Sequence, residues 1–253
     1  MKFKTNTFTF PAAPVADLAL SAGLLALMAM VLTPLTMRAQ VDPLTLDNFS
    51  TGPGKVDATS GTRTVRMNGS GIYGGSRAFS ILLNKGSNEF AQTAQAQVRT
   101  QLTDSATPSA MLVSEGYGVN GTIQLEYEGP TSESLNLDMV PYNRFRVTYA
   151  GVAELLTLEF LVIDNTAQYS NVFCAVGPYA PSLSSSGFTT VDILTASFPP
   201  THAGPVNWGN IELVELQWTP ANSYGVNNFA VTDISALTSS DTSVPTVMCT
   251  PAS

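Results

Sequence analysis

The sequence has one histidine, two cysteines and 12% charged residues, against about 25% charged in an ordinary soluble domain. With His202 as the sole imidazole, a histidine-built metal site is excluded and a Ser–His–Asp triad has a single base to draw on. Two cysteines, Cys174 and Cys249, are too few for a disulfide-stapled mini-scaffold or a cysteine-built zinc site. Basic side chains are scarce: 11 Lys and Arg stand against 19 Asp and Glu, a formal charge of −8. That balance lacks the basic footprint nucleic acid requires, so no nucleic-acid partner is expected. A hydrophobic content of 44% is too high for an intrinsically disordered chain. After residue 40 there is no helical periodicity and no apolar run long enough to span a membrane as a helix.

What is present begins with a leader. Lys2 and Lys4 precede an apolar stretch from Leu18 to Leu32, interrupted only by one Ser and one Gly. That length suits the apolar region of a signal peptide better than a membrane span. Residues 1–39 therefore read as a helical signal peptide, with an uncleaved N-terminal anchor as the alternative, and both readings export the body. The expected location is secreted or on the cell surface. Removing 1–39 takes away Lys2, Lys4, Arg38 and Asp17 and leaves a body with a formal charge of −10. This favours solubility and disfavours anionic partners.

The body alternates apolar and polar residues, broken at intervals by Gly, Pro, Asn and Ser clusters. The clearest strand is Thr122–Glu128, with Ile123, Leu125 and Tyr127 on one face and Gln124, Glu126 and Glu128 on the other. Leu156–Val162 repeats the pattern with Leu156, Leu158, Phe160 and Val162. The other expected strands are Leu44–Phe49, Thr62–Met67, Arg77–Leu83, Thr93–Leu102, Arg144–Tyr149, Val172–Val176, Thr190–Ser197, Ile211–Trp218 and Phe229–Leu237. About eleven strands at this spacing predict one all-β domain over 40–237, an antiparallel two-sheet β-sandwich of jelly-roll type. The polar segment 238–253 is expected to be a disordered tail.

Five stretches resemble a group of exported bacterial proteins: LDNFSTG from Leu46, GSGIYGGSR from Gly69, LNLDM from Leu135, WGNIELVEL from Trp208 and FAVTDISAL from Phe229. The resemblance covers roughly residues 44–237. It implies a jelly-roll β-sandwich behind a signal peptide, in proteins that often end in a PEP-CTERM sorting tail. Here SVPTVMCTPAS begins like such a tail but lacks its apolar span and terminal basic cluster. The resemblance implies no substrate and no catalytic residue.

Each candidate for chemistry has a plainer reading beside it. His202 lies in FPPTHAGP, a loop by its prolines and glycine, and the nearest serine motif, Gly74-Gly75-Ser76-Arg77-Ala78, lacks the second glycine of a nucleophile elbow. Glu126 and Glu128 sit about 6.5–7 Å apart along one strand face, within the range that glycosidase carboxyl pairs use; the alternative is a solvated strand face. Asp47 and Asp233, on the first and last strands, are candidate calcium ligands, or else bond nearby turn amides. No other cofactor is expected. Cys174 and Cys249 could form a disulfide closing a loop of about 75 residues, a contribution of about 4 kcal/mol in the chain-entropy model; otherwise Cys174 is a buried free thiol.

Aromatic residues recur in turn-like contexts: Tyr117, Tyr142, Tyr169, Tyr179, Trp208 and Tyr224. Such rings stack on sugar faces when exposed, and otherwise anchor loops to the core with a wet polar tip. The expectation is a non-catalytic surface or matrix β-sandwich whose partner is an extracellular polysaccharide. The alternatives are a purely structural or adhesive surface protein and, last, a glycan hydrolase.

Overall fold

A computed structural model describes residues 41–83, 109–116, 121–129, 133–180, 187–200, 204–221, 228–243, 245 and 247–249, together with the backbone of 94–99. Among these residues fourteen strands run in chain order: β1 Leu44–Asp47, β2 Gly54–Ala58, β3 Gly61–Asn68, β4 Ser76–Leu83, β5 Ala94–Arg99, β6 Ala110–Glu115, β7 Gly121–Glu128, β8 Arg144–Val152, β9 Leu156–Asp164, β10 Tyr169–Val176, β11 Thr189–Leu194, β12 Ile211–Pro220, β13 Asn228–Leu237 and β14 Val247–Met248. They form two sheets. One has the order β14-β11-β8-β13-β6-β5-β2, with β1 also on β13, and the other β10-β9-β12-β7-β4-β3. The chain is an all-β sandwich of jelly-roll type.

Alternation decides which face of each strand is buried. On β7, Ile123, Leu125 and Tyr127 are at most 1% exposed, and on β9 so are Leu156, Leu158, Phe160 and Val162. Across the gap they meet Phe145, Val147 and Tyr149 of β8 and Val231 and Ile234 of β13, all members of one continuous core. Burying each such side chain contributes roughly 1.5–3 kcal/mol before entropy. Trp218 is fully buried and donates its indole N–H to Tyr149 Oη at 2.8 Å, which satisfies its polar atom inside the core.

Three strands escape the sequence pattern. β2 is a five-residue strand at the end of its sheet, β6 is an apolar run without strict alternation, and β14 has two residues. β14 corrects two expectations. It pairs parallel with β11, Val191 facing Val247 and Asp192 facing Met248, so the sandwich is not wholly antiparallel. It also lies in the segment expected to be a disordered tail. The chain after β13 is held there by Arg144, whose Nη2 donates to Asp241 O at 2.8 Å, and by Arg146, whose Nη1 donates to Ser243 Oγ at 2.6 Å. Cys249 then bonds Cys174 of β10, with Cα atoms 5.3 Å apart. The disulfide therefore ties β14, an edge of the first sheet, to β10, an edge of the second. The leader, residues 1–39, lies outside the described residues.

Candidate functional site

The stretches that carry the family resemblance converge in space. Arg77, from GSGIYGGSR, ion-pairs through Nη1 with both carboxylate oxygens of Asp47, from LDNFSTG, and its Nη2 donates to Thr51 O. Tyr127 Oη donates to Asp47 Oδ2 at 3.1 Å, and the Phe49 amide donates to Oδ1 at 2.7 Å. Phe49 adopts φ 55, unusual for a bulky residue, and its ring lies 5.1 Å from the Arg77 guanidinium. LNLDM meets WGNIELVEL through a bridge between Leu137 and Ile211 and a bond from Met139 N to Trp208 O. Asp47 faces Ile234, within FAVTDISAL. Gly74 adopts φ 72, a conformation that L side chains rarely take, and a Cβ there would press on Leu135 Cδ1 at 2.5 Å, so a larger residue is strained by its backbone.

This cluster corrects the calcium expectation. Asp47 is fully buried with Arg77 as its counter-ion, so a guanidinium already neutralises it. Asp233 is half-buried on β13; burial, with Asp47 nearby, pushes its carboxyl up to about 6 against the lowering effect of Ser235 and Arg146. Among the described residues, no group of three His, Cys, Asp or Glu side chains is placed to hold a metal ion.

The six aromatic candidates separate. Tyr117 and Tyr224 lie outside the described residues, as does His202. Tyr142, Tyr179 and Trp208 are partly buried and packed on the core. Trp208 sits 5.3 Å from Phe198 and Tyr179 sits 6.3 Å from Tyr149. Tyr169 stands out at 61% exposed, and Phe173, on the same strand and face, is 44% exposed.

Those two rings belong to the outer face of the six-stranded sheet, and strand register arranges that face in rows. One row runs Thr64, Ser80, Gln124, Gln217, Glu159, Phe173 from β3 to β10. The next runs Arg66, Ala78, Glu126, Glu215, Leu161, Asn171. Tyr169 is paired with Ile163 beyond them. Across that face Phe173 on β10 is followed by Glu159 on β9, Gln217 on β12 and Gln124 on β7, one, two and three strand spacings of about 4.8 Å away.

The polar groups of this face hold one another. Asn171 Nδ2 donates to Glu159 Oε1 at 2.6 Å, Thr64 and Ser80 share a hydroxyl bond of 2.8 Å, and Gln217 bonds Glu215. Arg66 ion-pairs with Glu128 and lies 3.9 Å from Glu126. Burial, then Glu128 and Glu215, raise the Glu126 carboxyl above its ordinary range, with Arg66 opposing. Of this face, sequence alternation finds Gln124, Glu126 and Glu128. Alternation in Leu156–Val162 also puts Glu159 outward, but Phe173, Glu215, Gln217 and Arg66 are missed, because being opposite across strands leaves no mark in the sequence.

At the β9–β10 hairpin Asp164 is buried and accepts four bonds: from Thr166 N at 2.8 Å, Thr166 Oγ1 at 2.7 Å, Gln168 N at 3.0 Å and Asn207 N at 2.7 Å. Burial raises its carboxyl, but these donors outweigh it and hold it below its ordinary value. The hairpin that delivers Tyr169 is thereby fixed to the 207 loop.

No protein-family model and no curated protein matches this sequence. Solved structures do. A family 11 carbohydrate-binding module of a cellulosomal cellulase of Clostridium thermocellum is 16% identical, with 79% of this chain and 97% of that chain covered at a TM-score of 0.42. An agarase is 8% identical, covering 78% and 26% at a TM-score of 0.38. A structure of carbohydrate-binding modules from the β-sandwich superfamily is 9% identical, covering 79% and 63% at a TM-score of 0.35.

Proposed function

We propose that this chain is an exported, non-catalytic β-sandwich that holds a polysaccharide across the outer face of its six-stranded sheet. One observation carries the reading: the exposed rings Tyr169 and Phe173 share that face with rows of carboxylates and amides in direct register. A sugar ring offers an apolar C–H face and a rim of hydroxyls. The rings take the first and the Glu–Gln rows take the second, the combination by which a few placed polar groups orient a ligand on an apolar base. Export is supported by the leader pattern of residues 1–39 and by the Cys174–Cys249 bond, which belongs to an oxidising compartment.

The same face argues against hydrolysis. A glycosidase places two carboxyl groups on either side of the scissile bond, one of them protonated. Glu126, Glu128 and Glu215 lie side by side on one sheet surface, with Arg66 among them, and a sugar resting there meets them from one side only.

The test is retention of purified residues 40–253 on insoluble β-glucan, chitin and partially deacetylated chitin. Saturable retention that falls at least tenfold in the Tyr169→Ala/Phe173→Ala variant supports the reading. Folded protein that no polymer retains favours a purely structural surface protein.

A further inference from the structure

We propose that the C-terminal segment is a redox-controlled latch on this face. The Cys174–Cys249 disulfide holds the ring-bearing strand β10 in place, and its reduction loosens β10 and weakens polysaccharide retention. The inference rests on the reading of that face as the binding surface.

Among the described residues β10 is the last strand of its sheet and pairs with β9 alone. Successive side chains point to opposite faces, so the exposed Phe173 and Ala175 flank the buried Cys174. On its inner side Cys174 is bonded to Cys249, whose amide donates to Asp192 O of β11, in the other sheet, at 2.9 Å. The edge that carries the rings is thus tied to the opposite sheet by one covalent bond. The rest of the segment is held by a two-residue parallel pairing, the packing of Val247 on the core and a few side-chain bonds. Arg146 forks onto both oxygens of Asp192 at 2.6 and 2.8 Å and reaches Ser243 Oγ and O at 2.6 and 3.1 Å, while Arg144 reaches Asp241 O. Each such bond contributes little by itself, so the disulfide decides whether the segment stays seated.

The chemistry closes with a dithiol as reductant. Its first thiolate attacks Sγ of Cys249, and Cys174 leaves as a thiolate and takes a proton. Its second thiol then closes the reductant's own disulfide and releases Cys249 as a thiol, two electrons and two protons having passed to the protein. Cys174 and Cys249 are only 4% and 5% exposed, so the segment must lift before the attack, and loosening the Arg146 contacts speeds it.

The experiment uses the full purified chain, oxidised and after dithiothreitol, with free thiols titrated. It follows amide hydrogen exchange, near-UV circular dichroism and retention on β-glucan, chitin and partially deacetylated chitin. Reduction is expected to speed exchange in β10 and in 238–249 at least tenfold while β7 and β12 keep their protection. Retention falls at least tenfold and returns on reoxidation. Arg146→Gln, which keeps both cysteines, is expected to become reduced severalfold faster. If both thiols are free and β10 exchange and retention are unchanged, the latch is overturned and the binding reading stands. Loss of the near-UV signal throughout also overturns it, because the bond is then a staple for the whole sandwich. If the oxidised chain is retained on no polymer, the binding reading fails, and the coupling of the latch to retention fails with it.

Discussion

Asp47 is buried where water does not reach, with Arg77 as its counter-ion; burial raises its carboxyl above the ordinary value and Arg77 opposes that rise. Removing one member of a buried pair leaves the other uncompensated, at a cost of about 3–5 kcal/mol, whereas replacing both with apolar groups is often close to neutral. Asp47→Ala should therefore lower the urea midpoint sharply, and Asp47→Leu with Arg77→Met should recover most of the loss. Asp233 behaves oppositely to Asp164. Its carboxyl is raised to about 6 by burial and by Asp47, so the native state binds its proton more tightly than the unfolded chain does. Its stabilising contribution is full below the unfolded value near 3.8 and is lost as pH rises to about 6. Asp233→Asn should then be more stable than the parent at pH 7, by about 3 kcal/mol for a shift of about two pH units, and no more stable near pH 3. Thermal melts across that range would read the difference. For Asp164, held low by its four donors once burial is outweighed, the contribution is present above the unfolded value and lost as pH falls.

At the scale of the element, β7 and β10 show how one alternating strand serves the core and the outer face together. Leu125 is fully buried while Gln124 belongs to the outer rows. Leu125→Asp puts an unpaired charge into the core and should unfold the domain, whereas Gln124→Asp should leave the melting temperature within a degree or two. Equal stability of the two in urea would overturn the register. β10 divides its residues the same way: Val172, Cys174 and Val176 face the core, and Tyr169, Asn171 and Phe173 face outward. Truncating both rings should spare stability and abolish retention, because neither ring contributes to the core.

For the whole molecule the outer face carries Glu126, Glu128, Glu159 and Glu215 against Arg66, on a body whose formal charge is −10. Like charges repel a polyanion, so alginate should not be retained at low salt, while retention on a neutral glucan should barely change between low and high salt. Retention of alginate would contradict the assignment of this face. The sandwich and most of its strands are legible in the amino-acid pattern, because burial of one sheet face forces a period of two, which Thr122–Glu128 and Leu156–Val162 state plainly. β6 is not, since its apolar run AMLVS does not alternate, and β14 is not, since two residues in a polar segment have no period. Both acidic residues of the calcium expectation are visible in the sequence, but the arginine that occupies Asp47 arrives from thirty positions away. Tyr169 is legible as a ring; that it stands free while Tyr142, Tyr179 and Trp208 pack inward is not. The sequence by itself determined the all-β class and the acidic balance of charge, because these follow from composition and local periodicity. Only the tertiary structure decided which carboxylates stand beside which rings, which acid is already neutralised and which two edges the disulfide joins, because those depend on register between strands far apart in the chain.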